Sequence, residues 1–150
     1  MSIAPRAILL VEDDENDVLL IQRAFRNAKL ANPLHVVRDG DSAVAYLSGA
    51  GEYADRTAHP LPELMLLDLK LPRKSGLEVL AWLRQESGIK RVPVVVLTSS
   101  RERRDVDKAY ELGANSYLVK PVEFESLLEM VKTLGVYWMI FNEKPDLETG

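Results

Sequence analysis

The sequence predicts an α/β fold built on a parallel sheet of five strands with helices on both faces. Three observations carry that prediction. Apolar runs and amphipathic runs alternate five times along the chain, which is the rhythm of successive βα units. The apolar runs are apolar throughout and do not alternate with polar residues, as expected of strands buried on both faces. The chain is 150 residues long, which suits one domain with a single sizeable core.

Ala7–Val11 (AILLV) reads as the first strand. The helix after it spans about Asn16 to Lys29, with Val18, Ile21, Phe25 and Ala28 at helical spacing on its inward face. Leu34–Val37 is the second strand, and after Asp39-Gly40 the residues Ala43, Val44 and Leu47 mark a short helix. The next connection, Ser48–Leu61, is longer than an ordinary αβ loop. Leu64–Leu67 is the third strand, followed by a helix carrying Leu77, Leu80 and Leu83. Val92–Leu97 is the clearest strand, because β-branched valines dominate it. Asp105–Leu112 is helical and Ser116–Val119 is the fifth strand. Phe124, Leu127, Leu128, Val131 and Leu134 line the last helix.

The expected organisation is a single domain over 1–150, with a core of about 6–135 and a C-terminal extension over 136–150. That extension opens with VYWMIF, a run too apolar for a free tail. Tyr137, Trp138, Met139, Ile140 and Phe141 either dock on their own domain or form a contact between subunits.

Composition removes several function classes. Cysteine is absent, which excludes disulfides, thiol catalysis and Cys-based metal sites and fits an intracellular address. The start, MSIAPRAILLVED, meets charge too early for a secretory signal, and no stretch approaches a membrane span. A net charge of -4 gives no general attraction to nucleic acid. Arg101, Arg103 and Arg104 follow the fourth strand and either meet an acidic partner or lie solvated in a first helical turn.

The chemistry gathers at strand ends. VEDDE places Glu12, Asp13 and Asp14 just past the first strand, and LLDLKLP places Asp68 at the end of the third. In an open α/β sheet these ends share one edge, where ligands bind. Neighbouring strands lie about 4.8 Å apart, close enough for acids on adjacent ends to share a cation. Oxygen donors without His or Cys suit Mg²⁺, with Mn²⁺ as a substitute. Asp13 is assigned as a direct ligand, Glu12 as a ligand through water, Asp68 as both ligand and reactive group, and the Lys70 backbone carbonyl as a further ligand. Acids after one strand alone more often cap a helix or face solvent. Here two more strand ends add Thr98 and Ser99 hydroxyls and the Lys120 cation. A carboxylate can attack phosphorus to form an acyl phosphate, with Lys120 and Thr98 on the other phosphoryl oxygens. Pro121 restricts the backbone of Lys120 and marks Lys120-Pro121 as a candidate cis peptide aiming the lysine inward.

In order, Glu12-Asp13, Asp68 with Pro72 and Gly76 in DLKLPRKSG, LTSS at Leu97 to Ser100, Leu112-Gly113-Ala114, Tyr117 and Lys120-Pro121 resemble the receiver domain of two-component response regulators. The resemblance covers about residues 6 to 135. It implies a doubly wound (βα)5, flavodoxin-like three-layer sandwich with strand order 2-1-3-4-5. It makes Asp68 the phospho-acceptor, Glu12 and Asp13 the metal acids, Lys120 the phosphate partner, and Thr98 and Tyr117 the switch pair. Output is then expected through the face formed by helix 4, strand 5 and helix 5. Lys70 and Ser100 flank the site as candidates for tuning phosphoryl lifetime; a solvated Lys70 is the plainer alternative.

The long Ser48–Leu61 connection and the tail narrow the resemblance to small, stand-alone cytoplasmic regulators paired with bacterial phytochrome histidine kinases, which tend to be homodimers. The expected protein takes a phosphoryl group from a kinase phosphohistidine, loses it by self-directed hydrolysis, and acts on a downstream protein target. Its chemistry is autophosphorylation and autodephosphorylation, not conventional turnover. A phosphate sink or relay intermediate is the alternative. A Mg²⁺-dependent small-molecule phosphohydrolase ranks lower, because Lys70 stands where a second acid would be wanted. No contact with nucleic acid or membrane is expected.

Overall fold

The computed structural model describes residues 6–136, so the expected tail contact of Tyr137, Trp138, Met139, Ile140 and Phe141 lies outside the described residues. Its elements follow the βα rhythm: β1 (Ile8–Val11), α1 (Glu15–Asn27), β2 (Leu34–Val37), α2 (Gly40–Ser48), β3 (Leu64–Leu67), α3 (Gly76–Leu83), β4 (Val94–Thr98), α4 (Arg103–Glu111), β5 (Ser116–Val119) and α5 (Phe124–Val136). The five strands form one sheet in the order β2-β1-β3-β4-β5, parallel throughout.

Both faces of each inner strand are apolar because each meets a different core. Ile8, Leu10, Leu64, Leu66, Val95 and Leu97 face α1 and α5, against Val18, Ile21, Phe25, Leu127 and Val131. Leu9, Val11, Met65, Leu67 and Val94 face the other way, against α2 and α3 through Ala43, Tyr46, Leu47, Val79, Leu80 and Leu83. A smaller cluster of Leu69, Val96 and Ala109 lies under α4, with Tyr117 packed against it.

Register positions the site. Val11 pairs with Leu67 and Thr98 with Val119, so the chain leaves β1, β3, β4 and β5 at one edge. The strand order reverses between β1 and β3, which makes that edge the expected ligand crevice of a doubly wound sheet.

Several boundaries differ from those predicted, each for a local reason. α1 starts earlier because Asp14 is its N-cap and accepts the Asp17 N–H. It stops before Lys29, whose φ of 59° leaves the helix. β4 starts after Pro93, which has no N–H for the ladder, and runs on through Thr98. α4 starts at Arg103, two residues before the predicted Asp105, with Glu102 at its N-cap. Ser75 and Glu78 close a capping box on α3. The 48–61 connection contains a 3₁₀ turn at Gly51–Tyr53. Arg56 holds it down by donating to the carbonyls of Tyr46, Leu47 and His59. The rings of Tyr46, Tyr53 and His59 pack together beside it. Among the described residues no helix is long and apolar enough to cross a membrane.

Gly76 opens α3 directly behind Asp68. A Cβ there would lie 2.2 Å from the Asp68 carbonyl oxygen, a backbone atom that cannot swing aside. Gly76→Ala is therefore expected to cost about 2–3 kcal/mol. A lower denaturant midpoint at unchanged m-value would register it, and a wild-type midpoint would contradict the close approach.

Candidate functional site

Glu12 follows β1 and is anchored by its backbone N–H to the Val37 carbonyl at 3.0 Å. Asp68 follows β3 and donates its backbone N–H to the Val11 carbonyl at 3.1 Å. The two acidic residues are 1% and 7% exposed, while Asp13 faces solvent. Carboxylate oxygens of Glu12, Asp13 and Asp68 all lie within 4.8 Å of one another. Charges so placed need a cation, and Lys120 supplies one. Its Nζ lies 2.5 Å from Glu12 and 2.8 Å from both Asp17 and Asp68. Thr98 donates to Asp68 Oδ1 at 2.7 Å, and the Lys70 backbone N–H donates to the same oxygen at 3.2 Å. The Lys70 side chain is exposed.

Electrostatics separates the two buried acids. Burial pushes Glu12 up to about 7, helped by the Asp68 charge and opposed by Lys120. Burial also acts on Asp68, but hydrogen bonds from Lys120 and Thr98 outweigh it and hold the carboxyl below its ordinary value. Burial disfavours the Lys120 cation, yet its three carboxylate partners raise its pKa. Asp68 is thus ionised at neutral pH and needs no general base to act as a nucleophile.

Glu12 also sets a pH dependence. Its folded pKa of about 7 lies above the ordinary carboxyl value of 4.5. Its contribution to stability is therefore fully present below 4.5 and lost as pH rises through about 7. With chelator present, the unfolding midpoint is expected to fall across that window, and Glu12→Gln to flatten the slope. A Gln variant with the wild-type slope would assign the titration elsewhere.

The donor set fits a divalent cation. Three carboxylates converge, all offer hard oxygen, and the exposure of Asp13 leaves room for the ion's water. The expected group of Glu12, Asp13, Asp68, Thr98 and Lys120 is therefore assembled at one edge.

One expectation needs amendment, and two others acquire a definite place. No peptide bond among the described residues is cis. Lys120-Pro121 is trans, and Lys120 reaches Asp68 from that isomer, which X–Pro bonds favour. Ser100 is buried, and its hydroxyl donates to Asp105 Oδ2 at 2.5 Å. It thereby joins the β4 end to α4, and its carbonyl accepts the Tyr117 hydroxyl at 3.0 Å. Of the three arginines after β4, Arg103 pairs with Asp107 and Arg104 with Glu102 in exposed ion pairs. The residue missed from sequence is Asp17. Its signal was its place four residues after Asp13, on the first turn of a helix leaving the site.

Comparison with known proteins agrees with this geometry. Residues 8–132 match the response regulator receiver domain model. Response regulator Rcp1 of Synechocystis is 43% identical over 135 residues, covering 90% of each chain. The phosphorylated cyanobacterial phytochrome response regulator RcpA superposes with a TM-score of 0.88 at 40% identity, covering 95% of this chain and 99% of that one. The Mn²⁺-bound form of Rcp1 gives 0.84 at 42% identity, covering 94% and 99%. The family match runs through every strand of the sheet and both acidic strand ends, and the chain belongs to the response regulator receiver domain family.

Proposed function

We propose that Asp68 accepts a phosphoryl group from a phosphohistidine on a sensor histidine kinase. The observation that carries this is the setting of Asp68, an ionised carboxylate bonded to both Thr98 and Lys120 at the mouth of an acidic cluster. An Asp68 oxygen attacks phosphorus as the P–N bond breaks. The bond's electron pair returns to the imidazole nitrogen, which takes up a proton from solvent. The acyl phosphate is later hydrolysed when water attacks phosphorus, the P–O bond breaks, and inorganic phosphate leaves the regenerated carboxylate. Glu12, Asp13 and Asp68, with the Lys70 carbonyl, are the residues to hold Mg²⁺. Bound there, Mg²⁺ offsets charge on the nucleophile and on the transferred group.

Thr98 then exchanges Asp68 for a phosphoryl oxygen, and this transmits occupancy. Two residues on, Ser100 is bonded through its hydroxyl to Asp105 of α4 and through its carbonyl to Tyr117 of β5. A shift of Thr98 therefore biases α4 and β5 together. Lys70, exposed at the rim, is retained as a residue setting phosphoryl lifetime.

The kinase is proposed to be of phytochrome type, by similarity to the phytochrome response regulators. Its docking surface is proposed on the exposed Leu19 and Leu20 of α1 and on Val122, 97% exposed two residues after Lys120. A cytoplasmic location and homodimerisation through the apolar run Tyr137–Phe141 complete the reading. The test is intact mass after incubation with Mg²⁺ and acetyl phosphate, then with phosphorylated kinase, with light scattering on the same samples. Added phosphoryl mass supports the reading, and no added mass from either donor sinks it.

A further inference from the structure

An ammonium has three protons to donate, and Lys120 meets three carboxylates: Glu12, Asp17 and Asp68. The three differ in what else is asked of them. Glu12 and Asp68 belong to the acidic cluster with Asp13, and Asp17 does not. Asp68 loses its carboxylate charge when it forms the acyl phosphate, and a divalent cation would draw on Glu12. Asp17 is the partner whose charge and lone pairs neither event takes.

Asp17 is also tied to the pocket by its backbone. Its N–H donates to Asp14 Oδ1 at 3.1 Å, and the Asp14 N–H donates to Glu12 Oε2 at 3.1 Å. The first turn of α1 is thus registered against Glu12, and the Asp17 side chain crosses from that turn to the end of β5 with its Oδ2 2.8 Å from Lys120 Nζ. Its side chain is 34% exposed, against 13% for Lys120, so it sits on the solvent side of the ammonium.

We propose that Asp17 is a positioning residue for Lys120. It keeps the ammonium at the mouth of the pocket throughout the phosphorylation cycle, with the proton freed from Asp68 aimed at a phosphoryl oxygen. Without it, a long flexible side chain whose other partners are engaged elsewhere turns toward water. This inference rests on the reading of Asp68 as the acceptor.

The test measures phosphorylation by acetyl phosphate at saturating Mg²⁺, so that any change in metal affinity drops out. It is paired with the NMR order parameter of the Lys120 ε-methylene in metal-free protein. Asp17→Ala is expected to slow phosphorylation at least about tenfold, toward the roughly hundredfold cost of misplacing a group at the reacting centre, and to loosen the Lys120 methylene. Asp17→Glu restores both. A wild-type rate in Asp17→Ala overturns the proposal. So does a slow Asp17→Ala with unchanged Lys120 order, which would give Asp17 a different role. If the wild-type protein takes up no phosphoryl group, the acceptor reading has failed, and the metal-free Lys120 order alone still decides whether Asp17 positions the lysine.

Discussion

Asp68→Asn is expected to fold and to take up no phosphoryl group from acetyl phosphate or kinase. An amide does not attack phosphorus, and the buried Glu12 is poorly placed to replace it. Glu12 is 1% exposed, with one oxygen on Lys120 and the other on the Asp14 N–H. The variant should remain folded, because Asn retains an oxygen for the Thr98 hydroxyl and the Lys70 N–H that now meet Asp68 Oδ1. What is lost is one charged partner of Lys120, which keeps Glu12 and Asp17. What is gained is relief of Glu12, whose pKa the Asp68 charge now helps to raise. Opposing terms of this kind leave stability within about 1 kcal/mol of wild type. Mg²⁺ affinity should fall at least about tenfold with one carboxylate of the cluster gone. Intact mass and calorimetric Mg²⁺ titration measure the two effects. Phosphoryl mass on Asp68→Asn would move the acceptor to another side chain.

The sheet and the five residues of the pocket were legible in the sequence for the same reason. Where a strand is buried on both faces, its apolar run ends where the sheet ends. The acids after Val11 and Leu67, and the polar residues Thr98 and Lys120, therefore announce a common edge. Legibility fails where a contact is non-local and its partners look ordinary. Asp17 resembles any first-turn acid complementing a helix dipole, and its bond to Lys120 spans 103 positions in sequence. Arg56 and Arg84 look like surface cations. Arg56 closes the end of α2, and Arg84 donates to the carbonyls of Gly113, Lys90 and Val92 and to Asn115 Oδ1. Ser100 reads in the sequence only as a hydroxyl flanking the site. Its bond to Asp105 depends on where α4 starts, which the sequence pattern places two residues late.

Lys120→Met is expected to separate the two roles of the lysine, because methionine keeps the apolar stem and removes the charge. In chelator the variant should lose about 3 kcal/mol of stability, the scale for stripping one partner from a buried charge cluster. The loss is held to the low end because Glu12, already raised to about 7, takes up a proton once the ammonium is gone. It should therefore grow as pH rises, since ionising Glu12 beside Asp68 then has no local compensation. Mg²⁺ should reverse much of it. Ammonium and metal compete for the same carboxylates, so the variant is expected to bind Mg²⁺ more tightly than wild type. At a concentration one hundred times its Kd the ion contributes about 2.7 kcal/mol. Thermal unfolding with and without Mg²⁺, across pH 6 to 8 as an approximate range around the ordinary switch region, tests all three expectations. A variant as stable as wild type in chelator, with unchanged Mg²⁺ affinity, would mean that Lys120 does not compensate the pocket. The charge that lets three carboxylates converge would then have to come from elsewhere in the fold.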